Sequence, residues 1–116
     1  MMIKAIRLLL LAAAGVTISS LALAATFENR VVGRIEAPDY TRDCIFFTLQ
    51  NVAGTDPSAP TDPWFVVPRN HPGFREIYSA LIAARATGAP VSVYTTGVPD
   101  ASCSGHYGVS TIIVEP

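Results

Sequence analysis

Apolar residues recur with two different periods along this chain, and the changes of period mark its elements. Phe74, Ile77, Tyr78, Leu81 and Ile82 recur at helical spacing within FREIYSALIAARATG. The spacing predicts a helix that follows Asn70 as N-cap, has Pro72 in its first turn and runs to about Thr87, ended by Gly88 and then Pro90. Val91 and Val93 then alternate, which predicts a strand over 90–96. Upstream, 27–35 reads as a strand with Phe27, Val31 and Ile35 on one face and Gly33 at a bulge or bend. Residues 44–50 alternate Ile45, Phe47 and Leu49 against Phe46 and Thr48, and Trp64 opens a third strand that Pro68 ends. The last strand is 108–114, with Val109, Thr111 and Ile113 opposite Ile112 and Val114.

Turn chemistry separates these segments. APDYTRD at 37–43 is one turn, 51–63 is a loop with three prolines that is expected to be mobile at Ser58 and Ala59, and 97–108 is rich in Gly, Ser and Pro. The tally is three strands, a helix and two strands, with no internal repeat. That is the order of an oligonucleotide/oligosaccharide-binding (OB) barrel, so the expected fold class is mainly β: a five-stranded OB-like Greek-key barrel with one helix between strands 3 and 4.

Residues 1–24 read as a secretory signal peptide. Lys4 and Arg7 start it, an apolar run from Leu8 to Val16 continues it, and Ala22-Leu23-Ala24 supplies the cleavage site. The run is shorter than the ~20 apolar residues a spanning helix needs, so no membrane span is expected after cleavage. One OB-like domain, 25–116, remains, with a secreted or periplasmic destination. It carries six Arg and no Lys against nine Asp and Glu, a net of −3. Such an acidic balance lacks the footprint that phosphate backbones demand, so nucleic acid is not expected as a partner.

The two cysteines of an exported chain point to one disulfide, Cys44 to Cys103. In OB barrels ligands lie across strands 2 and 3, between the loop joining strands 1 and 2 and the loop joining strands 4 and 5. Here those loops are 37–43 and 97–108, and the disulfide would tie both rims of the groove. The candidate ligand-binding residues are therefore Tyr40, Arg42, Trp64, His106 and Tyr107. Flat rings suit the apolar face of a sugar, and Arg42, Asp43, Asp100 and Ser104 could bond hydroxyls. Trp64 as core and the tyrosines as end cover are the competing structural roles.

Other chemistry lacks its residues. Cys44, His71, Cys103 and His106 are zinc-ligand types, but a disulfide takes both sulfurs, and a bonded sulfur is no nucleophile. No Gly-x-Ser-x-Gly elbow, phosphate loop or His-Glu-x-x-His occurs. The chain is read as non-catalytic, with no metal and no cofactor.

FREIYSALIAARATGAPVSVYT resembles the corresponding part of the B subunits of subtilase cytotoxin and typhoid toxin, as do Asp43-Cys44-Ile45 and Trp64 before the helix. The likeness covers roughly residues 40–96. It implies an exported barrel that assembles as a homopentamer and binds glycans ending in sialic acid. The sugar-contacting serine of those subunits falls near Glu28 and Asn29 here, and an acidic Glu28 opposes a sialic acid carboxylate. No family binding residue is carried over.

The function expected is thus a secreted binding module for a glycan or other polar ligand, assembled like a toxin B subunit. The competing expectation is a periplasmic protein-binding module, an inhibitor or envelope assembly factor that uses a strand edge or the proline-rich loop.

Overall fold

The computed structural model describes residues 24–36 and 43–115. The signal-peptide reading therefore falls, but for Ala24, outside the described residues, as do Tyr40 and Arg42. The elements are β1 (Thr26–Glu36), β2 (Cys44–Leu49), β3 (Phe65–Pro68), α1 (Phe74–Thr87), β4 (Pro90–Asp100), a 3-10 turn (Ala101–Cys103) and β5 (His106–Val114). The strands form a ring of hydrogen-bonded neighbours in the order β1, β2, β3, β5, β4 and back to β1. All neighbours run antiparallel except β3 and β5. The protein is mainly β, a five-stranded sheet closed on itself, with its helix in the connection from β3 to β4. No helix among the described residues is long and apolar enough to cross a membrane.

Inside the ring, Phe47 and Phe65 stack with centroids 5.2 Å apart, and Phe27 meets Phe65 edge-on. Ile45, Leu49, Val67, Val91 and Val93 fill the space around them. Helix α1 adds Ile77, Leu81 and Ala84 to this core and packs against β1 and β5. Its end is as expected: Gly88 takes the left-handed conformation (φ 73°) and donates its N–H to the Ala84 carbonyl. Its start is not. Gly73, not Asn70, is the N-cap, with no side-chain cap bond to the first turn, and its own N–H donates to His71 Nδ1, 2.9 Å away. Ile82, expected on the buried face, is 45% exposed, because the apolar stripe through Ile77, Leu81 and Ala84 leaves it to one side.

Two strands change face midway, and strict alternation misassigned them. In β1 the register slips between Phe27 and Arg30 and again between Val32 and Ile35. Each slip adds a residue and reverses the side-chain phase. Val32, not Val31, is the fully buried residue, with Phe27 and Ile35 packed against the same core. The second slip spans Gly33, the expected bulge site, where a Cβ would stand 2.8 Å from Thr48 Oγ1. In β5, Tyr94 faces Thr111 while Thr95 faces Val109, so Ser110 is the extra residue. Val109 is buried, Ile112 packs on the core, and Ile113 is exposed.

The 97–108 segment also departs from its loop reading. β4 runs on to Asp100 and β5 begins at His106, with Pro99 paired to Tyr107 and Asp100 to His106. Only a 3-10 turn and two left-handed residues, Ser104 and Gly105, remain as the connection.

Candidate functional site

Strand alternation sends Cys44 and Phe46 of β2 and Val66 of β3 to the outside of the ring. On an open sheet face they would be wet, yet each is at most 2% exposed. The cover is the turn after β4. Its Cys103 is joined to Cys44 with Cα atoms 5.9 Å apart, and these four residues make a second apolar cluster against which Trp64 packs. The expected disulfide is present, but it draws the β4–β5 turn across β3 instead of holding it aside as a rim. Much of the face expected to form a groove is therefore filled by the chain itself.

At the edge of this cluster four residues, Arg34, Trp64, Asp62 and His106, are linked in a chain of contacts. Trp64 is half-buried just before β3, held there by its backbone N–H, which donates to Asp62 Oδ1 at 3.1 Å. The Arg34 guanidinium lies over the Trp64 ring, 5.7 Å from its centroid, within cation–π range. Arg34 is placed by the β1 bulge, where its N–H donates to Thr48 Oγ1. The other oxygen of Asp62 lies 2.7 Å from His106 Nδ1, and the imidazole stands edge-on to Phe46. Of the candidate residues, Trp64 and His106 are linked through Asp62, which bonds the backbone of one and the ring of the other. Arg34 and Asp62 join them unannounced, since a single arginine in a strand and an aspartate in a loop carry no distinguishing pattern in sequence.

Tyr107 stands apart from the other two. It shares the inward phase of Val109 and is 9% exposed, with its hydroxyl hydrogen-bonded to Ser58 Oγ. Ser58 in turn bonds Asp56 Oδ1 through both N–H and hydroxyl. The 51–63 loop, expected to be mobile at Ser58 and Ala59, is tethered to β5 at both Ser58 and Asp62. It is also folded on itself, with Thr55 N–H bonded to the Asp62 carbonyl and Ala59 N–H to that of Asp56.

Of the other polar residues considered, Asp100 accepts Ser102 N–H and hydroxyl and so caps the 3-10 turn, while Asp43 forms an exposed ion pair with Arg69. No group of three or more His, Cys, Asp or Glu positioned to hold a metal ion occurs among the described residues. No protein-family model matches the sequence, and no curated protein is significantly similar to it.

What this site can do follows from its parts. An aromatic plane, a cation, a carboxylate and an imidazole lie within one surface patch, mounted on strands and a disulfide-braced turn. Such a patch can stack on a flat or apolar ring face while bonding hydroxyls around its perimeter.

Proposed function

We propose that the protein is an exported, non-catalytic binding module of the OB-barrel type that recognises a glycan or another polar ligand and works as a homo-oligomer like a toxin B subunit. The strand order 1-2-3-5-4 in a closed ring, with the helix between β3 and β4, supports the barrel assignment. The Cys44–Cys103 disulfide supports an oxidising destination. The observation that carries the ligand reading is the half-buried Trp64, with Arg34 over its ring and the Asp62–His106 pair beside it. Rigid mounting favours binding because less ordering entropy is lost.

A glycan panel read with the oxidised protein tests this. Binding to defined glycans, abolished by Trp64→Ala and weakened by Arg34→Ala, is the expected result. A panel without hits, or hits indifferent to Trp64→Ala, would remove the reading. Light scattering tests assembly, for which a mass several times that of one chain is expected.

One observation favours the protein-binding alternative. β3 pairs with β5 only at Tyr107 and Gly108, so β5 beyond Gly108 has no strand neighbour on that side among the described residues. Ile113 and Val114, 45% and 43% exposed, lie on this stretch. An extended segment of another chain could add to that edge.

A further inference from the structure

A cavity of about 470 Å³ opens between β2, the β3–α1 connection and the first turns of α1, lined by Ile45, Arg69, Phe74, Arg75, Tyr78 and Ser79. Its size is that of a small-molecule site. It shares no lining residue with the Trp64 patch. Ile45 and the rings of Phe74 and Tyr78, with centroids 6.2 Å apart, supply apolar walls. Arg69 is committed: its charge is balanced by Asp43, and its guanidinium lies 5.2 Å from the centre of the Phe74 ring.

Arg75, Tyr78 and Ser79 stand at i, i+3 and i+4, on one side of α1. The guanidinium and the two hydroxyls have no hydrogen-bond or ion-pair partner among the described residues. Arg75 also lies in the first helical turn, where the helix dipole favours acidic side chains and opposes a cation. It does nothing for the helix there. The carboxylates nearby are Asp43, already paired, and Glu76, which shares with Phe74 and Arg75 an adjoining hollow also lined by Arg69, His71 and Pro72 but forms no ion pair with Arg75. Three uncommitted donors, one of them cationic, thus line one apolar-walled cavity in an otherwise acidic chain.

We propose that this cavity binds a small carboxylate with a flat apolar body. A guanidinium fork matches a planar carboxylate in two parallel hydrogen bonds, so Arg75 holds the acid with the Tyr78 hydroxyl, while Ile45 and Phe74 take the ring. The site is independent of the glycan reading.

NMR titration of the oxidised protein with phenylacetate, phenylacetamide and inorganic phosphate tests it. Phenylacetate is expected to give saturable shifts at residues 74–79, and phenylacetamide to bind at least about tenfold more weakly, because it cannot make the charge-assisted bond. Arg75→Gln, an exposed change that leaves the fold intact, should cost phenylacetate a similar factor. Trp64→Ala should leave its affinity unchanged, which separates this site from the glycan patch. The proposal is overturned by absence of saturable shifts with phenylacetate, by equal binding of the amide, by phosphate binding as tightly as phenylacetate, by unaltered affinity in Arg75→Gln, or by loss of phenylacetate binding in Trp64→Ala.

Discussion

His106 Nδ1 and Asp62 Oδ2 lie 2.7 Å apart, so the first residue of β5 grips the loop two positions before Trp64. Both side chains are only about one-quarter exposed (25% and 27%), and water screens the contact less than it would a surface pair. Asp62 also accepts the backbone N–H of Trp64, so Asp62→Ala breaks two bonds at once. The expected cost is about 1–3 kcal/mol. For a domain of this size that lowers Tm by roughly 4–8 °C per kcal/mol. Calorimetry of the variant checks it, and an unchanged melt would show that this contact does not hold the loop.

The disulfide spans a sequence separation of 59 and lies at the centre of the outer cluster. The chain-entropy model gives ~4 kcal/mol for a loop of this length. Cys103→Ala is therefore expected to lower Tm by well over ten degrees and to expose Phe46 and Val66 to solvent. Denaturation under oxidising and reducing conditions provides the comparison. The wild type should lose its advantage over Cys103→Ala once reduced.

Leu81 and Ile82 are adjacent in α1 but differ sharply in burial, 0% against 45%. Leu81→Ala should cost about 2–5 kcal/mol through lost burial and a cavity under the helix. Ile82→Ala should stay within about 0.5 kcal/mol. Equal losses in urea melts of the two variants would contradict the orientation of the helix.

Gly54 lies where the 51–63 loop crosses itself, and a Cβ there would stand 2.5 Å from the Pro60 carbonyl carbon and oxygen. These are backbone atoms and cannot swing aside. Gly54→Ala should destabilise by about 1–3 kcal/mol through forced displacement. It should also raise protease sensitivity between residues 51 and 63, which limited digestion followed by mass spectrometry reads directly.

Elements with a strong period were legible in the sequence, and so was the order they take. FREIYSALIAARATG needs only its 3.6-residue stripe and Gly88 to declare a helix and its end, and Ile45, Phe47 and Leu49 need only a two-residue period to declare the inner face of β2. The phase of β1 and β5 was not legible. A bulge is one extra residue that only pairing with a neighbour reveals, and at Glu28–Asn29 and Ser110 nothing in the residue types marks it beyond an asparagine able to take positive φ. The candidate site divides the same way. Trp64 and His106 stood out as residue types, whereas Arg34 and Asp62 became visible only when the β1 bulge and the loop anchor set them beside the ring.

By itself the sequence determined the mainly β class, the three-strand, helix, two-strand order and the cysteine pairing, because these depend on local periods and on two sulfurs with only each other to bond. Tertiary structure alone decided that the ring closes through a parallel β3–β5 contact, that the β4–β5 turn lies over the outer face of β3, and that Tyr107 turns inward while His106 turns out. Those outcomes depend on register and on which surfaces meet across dozens of residues, and a one-residue slip, invisible along the chain, exchanges inside for outside.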